Sequence, residues 1–304
     1  MSPMGDQSTT AAEAAERDSN NIIEQQLDGR IKAVEAGADA DALGYIGPMF
    51  SPADDEIKDA IEEISPRRDA LIVLLETGGG YVHVTERIAR IFRHHYDRVE
   101  FVVPNYAMSA GTVLVMSGDA IHMDYASVLG PIDPQVMRNG MGVPALGYLE
   151  QYQRLVKKSA DGTLTSVEAM YLVQNFDAAE LYLYEQEREL SIALLKEWLR
   201  KYKFKDWTKT KTRGKTVTPQ MRTDRARTIA TALNKTDRWH SHNRGISMEV
   251  LDRDLKLLIE DSGSNPDLAQ PIHDYYRLLK DYVMRRDQQE GMIIHTRGRY
   301  AGYR

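Results

Sequence analysis

Residues 70–75 read ALIVLL, six apolar positions with no polar break. A strand with one wet face would alternate, so this run predicts a strand buried on both faces, as in a parallel sheet. Shorter runs of the same kind, ALGYIGPM over 42–49, VEFVV over 99–103 and AIHM over 120–123, predict three more strands. Between them the apolar period lengthens to that of a helix. Ile57, Ile61 and Ile64 share one face of a helix over 54–64, and further helices are expected over 84–96 and 109–117. Ahead of this block, Ile22, Ile23, Leu27, Ile31 and Val34 predict an amphipathic helix over 22–36 that stops at Gly37. Strand and helix alternating at short spacing imply βα units on a mainly parallel sheet, an α/β fold.

Beyond residue 145 the pattern turns helical. A long stretch over 166–203 carries Leu172, Phe176, Leu181, Leu190, Leu194 and Trp198, and helices are expected over 222–234, 246–260 and 267–289, the last followed by a polar tail. Three regions follow: a flexible arm over 1–20, a main domain over 21–260, and a C-terminal helix and tail over 261–304.

Composition narrows the picture. The 304 residues suffice for a sizeable core, and 42% hydrophobic with 28% charged residues is ordinary for a soluble domain. A net charge of −6 argues against whole-molecule attraction to nucleic acid or anionic membrane. One stretch departs from that balance: residues 196–227 hold twelve Lys and Arg against three Asp and Glu, which reads as a solvated helix face and loop. There is no cysteine, which excludes disulfides, thiolate metal sites and a cysteine nucleophile and fits a reducing compartment. The first residues lack the basic and apolar segments of a secretory leader, and no apolar run is long enough for a membrane span, so a cytoplasmic location is expected. His94 and His95 lie at a helix C-terminus without acidic partners nearby, so no metal site is expected.

Three segments carry candidate chemistry. ETGGGYV (76–82) follows the buried strand; successive glycines let a substrate approach the main chain and leave amide N–H groups free to stabilise an oxyanion. NYAMSAGT (105–112) puts Ser109 at a strand-to-helix turn among small residues, where its hydroxyl either caps the helix or projects as a nucleophile. SVLGPIDPQ (127–135) is a rigid loop in which Asp133 reads as structural.

In this order and spacing the three segments resemble the serine dehydrogenase proteinase family, relatives of the Clp protease proteolytic subunit and of signal peptide peptidase-type serine proteases. The resemblance covers residues 42–136 and fades through 146–260. It implies a Clp protease/crotonase-like spiral of βα units with added C-terminal helices, and a serine peptidase that hydrolyses peptide bonds through an acyl-enzyme on Ser109. It implies Gly79 or Gly80 with the amide of Ala110 as the oxyanion hole, a polypeptide substrate, a homo-oligomer, and no cofactor or metal. It leaves open an unfoldase or activator. Gly78 stands where the family usually has proline.

The proton acceptor is the open position. Clp subunits take a histidine from the loop matching 130–134, where this chain has Ile132 and Asp133. Signal peptide peptidases use a lysine forty to fifty residues past the serine, a distance at which Lys157 and Lys158 lie. A later segment, TDRWHSHNR (236–244), offers His242, with Asp237 near the place of the Clp triad aspartate. Two other classes remain: a catalytically silent scaffold with no working base, and a crotonase-type acyl-CoA enzyme.

Overall fold

The computed structural model describes residues 7–133, 135–138, 141–286 and 291–303. Four parallel strands form its centre: β1 (Asp41–Ile46), β2 (Ala70–Glu76), β3 (Arg98–Val103) and, after the two-residue β4 (Tyr106–Ala107), β5 (Ala120–Met123). The connecting helices are α2 (Ala53–Glu62), α3 (Val82–His95) and α4 (Ala110–Val115), so the βα alternation expected from the sequence is what the molecule has. Every residue of β2 is buried. Leu71, Val73 and Leu75 face a large core with Ile57, Ile61, Ile88 and Phe92, while Ile72 and Leu74 face a second core on the other side of the sheet. Two-sided burial is the reason the run has no polar break.

The second core is built by the two ends of the chain. The first helix, α1 (Gln7–Ala38), contributes Leu27, Ile31 and Val34, and the last, α11 (Pro266–Arg286), contributes Leu268, Ile272, Tyr275, Leu279 and Tyr282. Helix α1 starts well before residue 22 and takes in residues 7–20 of the expected arm; the first six residues of that arm lie outside the described residues. Residues 287–289 of the expected last helix do so too.

The polar tail is corrected to sheet. After β6 (Val128–Leu129), β7 (Gln135–Arg138), β8 (Met141–Pro144), β9 (Ile246–Ser247) and β10 (Glu260–Asp261), the strands β11 (Met292–Thr296) and β12 (Arg299–Tyr303) form a hairpin turned at Gly298, φ +81°. Strand β11 pairs antiparallel with β1, giving the order β10-β5-β3-β2-β1-β11-β12. Met292 through Thr296 are all buried, because this short run fills a position inside the sheet that composition alone did not reveal.

The long helical stretch is broken. Helix α5 (Ala145–Ala160) leads to α6 (Ser166–Asn175) and α7 (Ala178–Trp198). Thr165 caps α6 in a capping box with Glu168, and the Asp177 carboxylate accepts from the amides of Ala179 and Glu180, starting α7 afresh. Helix α7 runs into a π-helical turn, Leu199–Lys203, before α8 (Pro219–Leu233), the short α9 (Thr236–Trp239) and α10 (Met248–Leu255). No helix among the described residues is long and apolar enough to cross a membrane.

Within the second core, the Tyr275 hydroxyl is hydrogen-bonded to His295 Nδ1 at 2.9 Å, and His295 Nε2 lies 3.3 Å from Asp28 Oδ1. Gly44 faces this chain of bonds: a β-carbon there would stand 2.2 Å from the Tyr275 oxygen. Gly44→Ala is expected to lower unfolding free energy by about 1–3 kcal/mol through overpacking, measurable by urea denaturation against wild type.

Candidate active site

The glycine segment begins where β2 ends. Glu76, buried at the strand tip, accepts from Asn105 Nδ2 at 3.2 Å and from the Tyr276 hydroxyl, and it pairs with Lys280. Two of those partners stand on α11, so the C-terminal helix anchors the base of the turn. The next residues are tied down by backbone bonds. Thr77 donates its N–H to Tyr106 O at 3.1 Å, and Met108 donates to Thr77 O at 2.9 Å. Met49 donates to Gly79 O at 2.8 Å, and Tyr81 to Met49 O at 2.9 Å. Gly79 spends its own N–H on Thr77 Oγ1, at 3.0 Å. The amides of Gly80 and Ala110 enter none of these bonds, and Ala110 opens α4, where amides lack intrahelical acceptors.

Gly79 lies directly against the serine. A β-carbon there would sit 2.8 Å from Met108 O, 2.8 Å from Ser109 Cβ and 3.2 Å from Ala110 N, at φ +101°. Gly80 has φ +153°, and a β-carbon there would meet Met49 O at 2.5 Å. Both positions therefore require glycine for space as well as for conformation.

Ser109 precedes α4 with φ +51° and ψ −119°, a conformation few non-glycine residues adopt. Although it stands at the N-cap, its side chain makes no capping bond. The alternative read from the sequence, a serine that serves only as a cap, loses its expected contact. The residue is half-buried, and its hydroxyl has no hydrogen-bond partner among the described residues.

A small three-stranded sheet brings distant segments to this point. Strand β4 lies parallel to β6 with Ala107 opposite Leu129, and β6 lies antiparallel to β9 with Leu129 opposite Ile246. Ser109 follows β4, Asp133 follows β6, and His242 precedes β9 in the opposite direction. All three segments thus leave the sheet at the same end. Thr112 Oγ1 donates toward Ala107 O (2.7 Å) and Gly130 O (3.0 Å) and lies 2.9 Å from Gly130 N, binding the Gly130 loop to the helix that Ser109 opens. Ile132 then donates its N–H to Leu233 O at 3.1 Å, fixing the approach to Asp133.

Asp133 is buried, and its Oδ1 lies 2.9 Å from His242 Nδ1. With Nδ1 donating, Nε2 of the neutral ring is the free acceptor. The histidine side chain is 12% exposed, and its turn is anchored by Trp239, whose Nε1 donates to Ala232 O at 2.8 Å beneath α8. His240, two residues earlier, is exposed with φ +62°.

The two lysines have other surroundings. Lys157 is exposed, and Lys158 pairs Nζ with Glu168 Oε1 at 2.5 Å between α5 and α6, holding that carboxyl down to about 2. Among the described residues no group of three His, Asp or Glu side chains is arranged to hold a metal.

Asp133 is the residue that sequence reasoning passed over. It lies 109 positions from His242, and no local pattern marks the contact. The one available signal was its place in a rigid loop where Clp subunits carry their histidine.

The model of a family described as ClpP-like SDH-type serine proteinase matches residues 49–234, more than half of the chain. Two uncharacterized proteins of Methanocaldococcus jannaschii are similar in sequence. MJ1495 is 32% identical over 133 residues, 42% of this chain and 44% of that protein. MJ0137 is 32% identical over 147 residues, 45% of this chain and 50% of that protein. The chain thus spans about half the length of these curated relatives. Among solved structures, a lysine-to-alanine mutant of the 1510-N membrane-bound stomatin-specific protease, in complex with a substrate peptide, is 15% identical with a TM-score of 0.43. That match covers 86% of this chain and 84% of the other. A serine-to-alanine mutant of the same protease is 19% identical with a TM-score of 0.30, over 47% and 74% of the two chains.

Gly79→Ala is expected to destabilise the protein by about 1–3 kcal/mol, since the new methyl meets backbone atoms and sits at a strained φ. Chemical denaturation would read this loss, and Gly78→Ala, whose β-carbon meets nothing within 4 Å, should show little of it.

Proposed function

Because the chain belongs to the ClpP-like SDH-type serine proteinases, we propose that it hydrolyses peptide bonds with Ser109 as nucleophile, His242 as general base and Asp133 as the group that orients the histidine. The observation that carries this reading is the uncommitted hydroxyl of Ser109 at a strained strand-to-helix turn, on the same end of the small sheet as a buried His–Asp pair.

The steps follow from those roles. His242 Nε2 takes the Ser109 proton as Oγ attacks the substrate carbonyl, and Asp133 stabilises the imidazolium through Nδ1–H. The carbonyl oxygen becomes an oxyanion that accepts from backbone amides. Of the two glycines, Gly80 is the better donor beside Ala110, because the Gly79 N–H is already held by Thr77. The imidazolium then protonates the leaving amine, and water, deprotonated by the same ring, hydrolyses the acyl-enzyme.

A lysine base must be neutral to accept a proton, which requires desolvation and no neighbouring carboxylate. Lys157 is exposed and Lys158 is paired with the Glu168 carboxylate, so both fit a surface role better than a catalytic one. A polypeptide substrate and a homo-oligomeric assembly belong to the same reading, supported by the family alone.

Labelling with a fluorophosphonate probe, followed by intact mass, tests the assignment. Wild type should gain one adduct and Ser109→Ala none. His242→Ala should slow labelling about 10²–10⁴-fold, the range of general-base catalysis, while Lys158→Met stays within a few-fold of wild type. Fast labelling of His242→Ala with loss in Lys158→Met would transfer the base to the lysine.

A further inference from the structure

Helix α3 leaves the glycine turn at Val82, and its far half walls a cleft of about 330 Å³ with the π-helical turn. The cleft is lined by Arg90, Arg93 and His94 from α3 and by Lys201 and Tyr202 from the turn. An adjoining hollow of about 240 Å³ shares Lys201 and adds Arg200 and Arg222. Arg90 begins this wall about 12 Å along the helix axis from Val82.

Two of the cations are matched by carboxylates: Arg90 by Glu86 at 2.5 Å, and Arg93 by Asp119 at 2.7 Å. Arg200, Lys201 and Arg222 meet no carboxylate among the described residues; Arg222 Nε and Nη2 donate instead to Trp207 O at 3.2 and 3.0 Å. Arg93 is nine-tenths buried, with the Tyr202 ring centred 3.7 Å from its guanidinium carbon, and its Nε has no acceptor among the described residues. In a chain of net charge −6, this is a local excess of positive charge in a concave surface.

Helix dipoles account for part of it. Arg93 and His94 end α3, and Arg200 and Lys201 follow the end of α7, positions where cations are favoured. Arg222 is the exception. It stands in the first turn of α8, where the dipole disfavours a cation; there Thr218 Oγ1 caps the Met221 amide and Thr218 O takes that of Arg222. A cation at the positive end of a helix is unfavourable, and an anion bound beside it offsets that cost.

We propose that these adjoining clefts bind a phosphate compound with two or more phosphoryl groups, a linear polyphosphate or a nucleoside polyphosphate. Four guanidinium groups to one ammonium favour the planar, bidentate recognition of phosphate oxygens. Three cations without a carboxylate partner among the described residues, spread over two hollows that share Lys201, match a compact polyanion better than a single carboxylate.

Isothermal titration of the full chain with tripolyphosphate, and separately with ATP, at low and moderate salt tests this. Saturable binding of one ligand per chain is expected, weakened at least 10-fold in Arg200→Gln/Lys201→Gln and in Arg222→Gln, with Arg222→Lys retaining most of it. Circular dichroism confirms that each variant is folded. Equal affinity for the two ligands would mean that the phosphate chain alone is recognised; tighter binding of ATP would add a nucleoside contact. No saturation below millimolar concentrations, unchanged affinity in folded variants, or tighter binding of poly-glutamate than of tripolyphosphate would overturn the proposal.

Discussion

At Ser109 the main chain holds a positive φ, and the surrounding segments are arranged so that it cannot relax. The turn 77–80 lies against it at a distance only glycine permits at position 79, Thr77 exchanges backbone bonds with Tyr106 and Met108, and Thr112 fastens the next loop to the helix behind it. Strained backbone of this kind persists only where neighbouring structure over-determines it. Here the result is a hydroxyl withdrawn from the capping bond that a serine at a helix start usually makes. The glycine turn, the Gly130 loop and the small sheet whose end carries Asp133 and His242 all meet around that point.

The parts of this arrangement readable in the sequence are those set by local pattern. The apolar run of β2 announced two-sided burial, the glycines announced a turn without side chains, and Ser109 among small residues announced an elbow. What escaped notice depends on contacts between residues far apart in the chain. The strands β4, β6 and β9 are two residues each, too short to leave a period, yet they bring positions 109, 133 and 242 to one end. The hairpin β11–β12 looks polar because His295, Arg297 and Arg299 interrupt it, although its first strand is buried through pairing with β1 and contact with α11. Helix α1 extended past its predicted start because residues 7–21 contain no breaker, even though few of them are apolar.

Under the proposed assignment, the His–Asp pair shows two members exchanged between segments. In the Clp subunits that this chain resembles, the loop matching 130–134 supplies histidine and the later segment supplies aspartate. This chain has aspartate on that loop and histidine on the later segment, with the two still 2.9 Å apart.

The clamp on Glu76 has a temporal side. Tyr276 and Lys280, which hold the foot of the glycine turn, come some two hundred residues after it, and the strand that covers the open edge of β1 comes later still. During synthesis the serine, the turn and the histidine all emerge from the ribosome before these supports exist. Until α11 docks, a buried carboxylate lacks its cation and the central sheet ends in an unpaired edge. A nascent chain therefore cannot complete this side of its core until α11 and β11 have emerged.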